Sequence, residues 1–415
     1  MSPKTRREPL ARHARLRSPH PIGQIATILG TMVVVVLLGV IGTAAFAAWN
    51  ATNLVGEGAV ALESTKPLPP SIGEIEGGVN LLLVGTDSCA GQDLKLFPRC
   101  KHDDGGEGND VTMLAHIGDN PRRVTVVSFP RDMIVPIPSC PSPSGGRYSA
   151  MSGQMLNVSY SYGGLACTAL TVQQLTGVDI QFAAAIRWTG VIHMSDAIGG
   201  VQVCVAGDIN DRNTGLHLTK GEHTLVGAQA LQFLRIRHGI GDGSDLGRIS
   251  NQQQFMSSLV RKLQSGGVLG DPTKLFALAT TALQQVADKQ LVLDQNLANP
   301  TRMVQIAMAM KSVPYKDIVF VQYPTSYDPQ DASRVLPVYG AADTLFAALK
   351  ANKALKLTGQ ASSGNGVEVS GDVGATPSPT DSASPDDGDA VELPTVISGT
   401  TAAQTTCTRP EPKGR

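Results

Sequence analysis

From Pro21 to Gly56 the chain carries no charged side chain, and Ile22 to Ala48 is almost wholly apolar. A helix of about 25 such residues is long enough to cross a hydrocarbon core of about 30 Å. Lys4, Arg6, Arg7, Arg12, Arg15 and Arg17 all precede it, against the single acid Glu8. Flanks rich in Lys and Arg stay cytoplasmic, so the pattern predicts a single-pass membrane anchor at 22–48. Residues 1–21 would lie inside and everything beyond Trp49 outside. A cleaved signal peptide using the small residues Ala44–Ala48 is the competing reading. The apolar stretch is longer than the roughly 7–15 residues of a signal core, which favours the anchor.

Overall the chain has 34 basic and 35 acidic residues; without the first 20 residues the balance is 28 to 34. An acidic body with only 4% aromatic residues argues against a nucleic-acid partner. The six cysteines, Cys89, Cys100, Cys140, Cys167, Cys204 and Cys407, all follow the apolar segment, and none forms CxxC. An even number in an oxidising compartment points to disulfides. About 15 full pairings are open; nearest-neighbour closure would join 89 to 100 and 140 to 167, leaving 204 for 407.

Residues 49–77 read as a short extracytoplasmic stalk of helical character, closed by Lys66-Pro67-Leu68-Pro69-Pro70. Val79–Gly85 is a continuous apolar run ended by Gly, the signature of a buried strand. Residues 90–109 read as a polar loop. Asp110–Ile117 and Arg123–Phe129 are two further strands about a Gly118–Pro121 turn. Helical spacing follows at 168–176, a strand at 183–186, and a helix near 189–198. A short helix capped by Thr224 would run through Leu231. Longer helices are predicted at 245–263, 275–286, 300–310 and 341–351, with a strand at 318–322. Beyond residue 355 the composition turns to Ser, Gly, Thr, Pro and Asp, which reads as a mostly disordered tail over 356–415. Cys407 and the 391–397 patch are candidates to tie its end back. Strands mixed with helices over 78–355 imply an α/β layered domain.

HExxH, GxSxG and the phosphate-loop motif GxxxxGK[ST] are all missing, which argues against a zinc protease, an α/β-hydrolase and a P-loop NTPase. Instead, acids sit at strand ends. Asp87 follows the first strand and Asp110 opens the second. Two carboxylates at one sheet edge can hold a hard cation if phosphate oxygens and water complete the shell; as isolated residues they would simply be turn acids. Arg131 and Asp132 follow the third strand. Arg235 and Arg237 have the period-2 spacing that puts both on one face of an extended segment. Arg248 and Gln252 share a helical face that continues as Phe255, Leu259 and Leu263. A stripe polar at its start and apolar afterwards suits an anionic head with a hydrocarbon tail, or an ordinary amphipathic helix.

Together these segments resemble the LytR-CpsA-Psr family of cell-wall enzymes. The matching pieces are Asn80–Ser88, Asp110 with its strand, Ser128–Asp132, Asn157–Gly164, Asp196–Val201, Gln229–Arg237, and Gly241–Arg248 with Gln252-Gln253. The resemblance implies an α/β/α sandwich with a mixed central sheet. It implies a phosphotransferase that moves a glycopolymer, such as a teichoic acid, from a polyprenyl-pyrophosphate carrier to peptidoglycan. Asp87 and Asp110 would hold Mg²⁺ or Mn²⁺; Arg131, Arg235, Arg237 and Arg248 would bind pyrophosphate with Gln252 beside them. Asp245 would orient those arginines, Asp132, Asp110 or a metal-bound group would take a proton, and Phe255 and Leu259 would wall a lipid groove. The chain departs from the family pattern at Met155, at Asn251 and at Gly108-Asn109, where the family commonly places cations. A polyprenyl-pyrophosphate phosphatase, and a non-catalytic lipid-pyrophosphate-binding or regulatory protein, are the alternatives.

Overall fold

A computed structural model describes residues 32, 59–63, 78–102, 106–142, 144–372 and 390–412. The chain divides into two units, residues 1–53 and 54–415. Of the first unit only Met32 is described, and it is helical; the expected span at 22–48 otherwise lies outside the described residues. Among the described residues no helix is long and apolar enough to cross a membrane.

Seven strands form the central sheet: β1 (Val79–Thr86), β2 (Asn109–Ile117), β3 (Val124–Phe129), β4 (Phe182–Ile186), β7 (Leu291–Leu293), β8 (Ile318–Gln322) and β10 (Gly399–Thr401). Their spatial order is β7-β4-β1-β2-β3-β8-β10. The sheet is mixed: β1 runs parallel to β4 and β3 to β8, while β1–β2, β2–β3, β4–β7 and β8–β10 are antiparallel.

Helices cover both faces. Side chains alternate across a strand, so Leu82 and Val84 of β1 point to one face and Leu83 and Gly85 to the other. The first face is a solid core in which Leu82, Val84, Leu114, Val127 and Ala183 pack under α1 (Val158–Thr176) and α7 (Tyr339–Lys350). The second face lies under α2 (Trp188–Ala197), α3 (Gly227–Arg235), α4 (Asp245–Ser265) and α5 (Pro272–Ala287), with α6 (Pro300–Ala309) behind. There the packing is incomplete and leaves a cavity of about 420 Å³. The sequence run 79–85 therefore reads as apolar on both faces for two different reasons.

A second sheet, of four strands in the order β6-β5-β11-β9, was not visible in the sequence: β5 (Val201–Val205), β6 (Gly221–Leu225), β9 (Val367–Asp372) and β11 (Gln404–Thr408). It brackets a smaller core of Val201, Val203, Val205, Phe233 and Phe255. All six cysteines pair, as Cys89–Cys100, Cys140–Cys167 and Cys204–Cys407.

Three expectations need correction. The stalk is not helical where it is described: residues 59–63 form no helix, and Val60, in an isolated bridge, exchanges backbone hydrogen bonds with Leu293 (2.9 Å) and Gln295 (3.0 Å). The helix expected to end at Leu231 starts later, at Gly227, and runs to Arg235, because Thr224 is held in β6 opposite Gln202. The tail is folded over 356–372 and 390–412. Its strands are too short to announce themselves, and β11 finds its partner β5 some 200 residues upstream, fixed by a disulfide between facing Cys204 and Cys407.

This C-terminal part braces α4. Thr408 donates to Asn251 Oδ1 (2.6 Å), and Gln254 Nε2 donates to the carbonyls of Cys204 (2.7 Å) and Thr406 (2.8 Å). At the helix start, Gly364 O accepts from Asp242 N (3.0 Å) and Ser363 O from the Ser250 hydroxyl (3.2 Å). The approach is close enough that a Cβ on Gly366 would lie 2.2 Å from Gly247 O, so position 366 needs glycine or backbone movement.

Candidate active site

The topology gathers chemistry at one sheet edge. The C-terminal ends of β1, β3 and β4 and the N-terminal end of β2 meet there, because β2 runs against its neighbours. Asp87, Arg131 with Asp132, Arg187 and Asp110 occupy those ends in turn. The start of α4 comes to the same edge: Ser244 caps it, accepting from Gly247 N (3.2 Å), and Asp245 occupies its first turn, where a carboxylate is stabilised.

An ion cluster links them. Arg131 Nη1 contacts Asp110 Oδ1 at 2.5 Å, and its Nε lies 3.4 Å from Asp245 and 3.6 Å from Asp132. Arg248 Nη2 contacts Asp245 Oδ1 at 2.6 Å and donates to the Asp110 carbonyl at 3.0 Å. Asp245 thus sits between two arginines. Arg248 is only 6% exposed, so it does not reach solvent as in an ordinary amphipathic helix. Burial opposes the charge of Arg131, but Asp110, Asp245 and Asp132 outweigh it and hold the guanidinium above its ordinary value. Asp132 is pushed up by burial and by Asp245, against the pull of Arg131 and Arg334. That environment favours accepting a proton.

Asp110, Arg235, Arg248 and Gln252 line one end of the cavity. Phe255, Leu259 and Leu263 continue down the same face of α4, opposite Leu83, Met113 and Ala184 of the sheet. Arg235 and Arg237 do not share an extended face, contrary to expectation. Arg235 closes α3, its guanidinium 4.2 Å from the centre of the Trp188 ring. Arg237 lies beyond the helix, its Nε donating to Gly243 O (2.9 Å), and it is not among the residues walling the cavity. Gln252 Nε2 donates to the Leu234 carbonyl (2.9 Å), which ties α4 to α3.

Asp87 Oδ1 accepts from Gly108 N at 2.8 Å. Among the described residues no group of three or more His, Cys, Asp or Glu converges as a metal cage. Two hard carboxylates, Asp87 and Asp110, on adjacent strand ends fit a cation whose remaining ligands are phosphate oxygens and water. The donor set suits an ion that arrives with an anionic substrate.

Sequence reasoning missed a second ion pair at this edge. Arg187 grips Glu107 with Nε and Nη2, both at 2.9 Å, and Glu107 also accepts from the Thr86 hydroxyl (2.9 Å). Its signal was available, since Arg187 follows β4 directly, as Asp87 follows β1. Arg334, 3.4 Å from Asp132, had no local signal. One departure from the family pattern is explained: Asn251 is fully buried and donates to Phe233 O (2.7 Å), on the braced side of α4.

Comparison with known proteins places this geometry. The chain is 28% identical to the cell wall biosynthesis protein LcpA of Corynebacterium glutamicum over 51% of its own length and 45% of that protein's. It is 26% identical to the polyisoprenyl-teichoic acid–peptidoglycan teichoic acid transferase TagU of Enterococcus faecalis, over 58% of its own length and 72% of that protein's. It spans about half the length of the corynebacterial relatives, 45% of LcpA and 47% of LcpB. In fold it is similar to B. subtilis TagT, with a TM-score of 0.50 at 19% identity over 71% of this chain and 99% of that one. The sequence model of the LytR_cpsA_psr family matches residues 49–353, which begins within the segment expected as a stalk. The chain belongs to the LytR_cpsA_psr family.

Proposed function

We propose that the protein transfers a glycopolymer from a polyprenyl-pyrophosphate carrier to peptidoglycan, leaving a phosphodiester link. The observation that carries this reading is the cavity itself: an apolar chamber of about 420 Å³ whose end is lined by Arg235 and Arg248 beside an arginine–aspartate cluster. A ligand matched to it has a hydrocarbon tail and a polyanionic head.

In the proposed reaction a peptidoglycan hydroxyl attacks the sugar-linked phosphorus. The bond from that phosphorus to the bridging oxygen breaks, and polyprenyl phosphate leaves with the electron pair. Arg131, Arg235 and Arg248 stabilise the growing charge, because their planar forks are already held by Asp110, Trp188 and Asp245. Asp132 takes the hydroxyl proton, its affinity raised by burial. Mg²⁺ or Mn²⁺, held by Asp87 and Asp110, would neutralise pyrophosphate charge. The six paired cysteines and the 22–48 segment support a membrane-anchored, extracytoplasmic enzyme.

The test is turnover of a polyprenyl-pyrophosphate-linked polymer with peptidoglycan present, followed by product analysis. Polymer bound to peptidoglycan through a phosphodiester is expected. Release of free polymer phosphate alone would make the protein a phosphatase, and no turnover with retained binding would make it a carrier. Asp87→Asn and Asp110→Asn should each lower turnover strongly. Undiminished activity of the double variant in EDTA removes the metal assignment.

A further inference from the structure

One wall of the cavity continues onto the molecular surface through a stapled loop. Cys89 and Cys100 close it with a disulfide. Phe97 stacks on Trp188 with ring centres 4.8 Å apart, and Trp188 both lines the cavity and carries Arg235 over its ring. Gln92 Oε1 accepts from the Thr189 N–H (3.1 Å) and hydroxyl (2.6 Å), while its Nε2 donates to Gln290 (2.9 Å). The base of the loop is therefore fixed against α2 at the rim of the cavity.

From this base two leucines are exposed, Leu94 by 45% and Leu96 by 52%. Lys95 stands between them and Lys101 follows, both exposed. Asp93 directs its carboxylate to the Lys95 N–H (2.8 Å), capping the turn. From Asp93 to Lys101 the sequence holds three cations, Lys95, Arg99 and Lys101, against that one acid. Isolated exposed leucines are ordinary. Here, however, two are displayed at alternate positions on a cross-linked base, interleaved with lysines, next to an apolar chamber. Apolar tips that enter the acyl boundary, with ammonium groups snorkelling to anionic headgroups, have this composition.

We infer that the loop closed by Cys89 and Cys100 is a membrane-contacting element that seats the rim of the cavity on an anionic lipid surface. Its use, delivery of a lipid-linked donor into the cavity, rests on the function proposed above; the contact itself does not.

The experiment uses the full chain reconstituted in phosphatidylglycerol–phosphatidylcholine vesicles with brominated acyl chains. Tryptophan is placed at the loop by Leu96→Trp and, independently, by Leu94→Trp, so failure of one variant to fold leaves the other to decide. Tyr339→Trp, 53% exposed at the start of α7 on the opposite face of the sheet, is the control. The signal of Trp49 and Trp188 is measured in the parent chain. The loop tryptophans should be quenched by bromolipid at least twofold more than the control, and by aqueous iodide at least twofold less. Lys95→Glu with Lys101→Glu should halve the bromolipid quenching in anionic vesicles. Iodide access equal to the control overturns the inference. So does protection from both quenchers, which would mean that protein covers the loop. No transfer is measured, so this result and that of the transfer assay stand or fall separately.

Discussion

Filling the cavity should stabilise the protein and disable it. Leu259 is half-buried because it looks into the chamber from α4. Leu259→Trp adds roughly 60 Å³; at about 24 cal/mol per Å³ of cavity removed, the ligand-free protein should gain at most about 1.4 kcal/mol. Overpacking strain reduces that gain, so a rise in Tm of about 1–2 °C is expected. The same volume displaces about two methylene groups of a bound tail, which at about 0.8 kcal/mol each weakens long-chain binding by about 1.6 kcal/mol, more than tenfold. Affinity for a headgroup without a tail should not move. The assay is thermal unfolding beside titration with a long-chain polyprenyl pyrophosphate and with inorganic pyrophosphate. A variant that is more stable yet binds the long chain with unchanged affinity would show that the tail lies elsewhere. Equal losses for both ligands would show that the substitution disturbs the arginines and not the chamber.

Arg131→Ala, Arg235→Ala and Arg248→Ala should each lose roughly ten- to hundredfold in transfer, about 1.5–3 kcal/mol per charge-assisted contact, with Lys restoring only part; normal transfer by folded Ala variants sinks the cluster's role. Arg237→Ala should lose less, since Arg237 lines neither the cavity nor the arginine–aspartate cluster and donates to Gly243 O. Burial drives His116 down to about 4. The unfolded chain takes up this proton below its ordinary 6.5 and the folded chain only below about 4, so stability present above pH 6.5 should fall by about 3 kcal/mol as pH drops to 4. His116→Gln should flatten that slope in denaturant unfolding across this range. Loss of Cys204–Cys407, which closes a span of 203 residues, should cost up to about 5 kcal/mol by chain entropy, read from urea midpoints of the double Ala variant; an unchanged midpoint refutes it.

Long, strongly patterned elements were legible in the sequence. β8 coincides with its predicted span, and α4 and α6 lie within two residues of theirs, because Ser244, Asn299 and Pro300 mark helix starts. What was illegible depends on partners distant in sequence. Thr224 is a competent helix cap, but pairing with Gln202 takes it into a strand. The alternation Arg235–Ile236–Arg237 suggested one extended segment, but Arg235 is the last residue of α3 and only Ile236 and Arg237 lie beyond it; three residues cannot distinguish a period of 2 from a helix end. Asp87, Asp110, Arg131 and Arg248 could be selected because strand ends and helix starts are where side chains reach a shared edge. Arg187 obeyed the same rule and was overlooked; Arg334 obeyed none, coming to Asp132 from 202 residues away.

The family match stops at residue 353, yet the helix bearing Arg248 leans on residues 363–364 and 406–408. A chain ended at 353 would keep every residue of the candidate site and lose the outer hydrogen-bonding partners of Asn251 and Gln254. The inheritable unit and the self-supporting unit thus differ in length. Cleavage anywhere between 373 and 389 would be another matter: the detached end stays bound covalently through Cys407 to Cys204, and the nicked protein would run as one molecule until reduced.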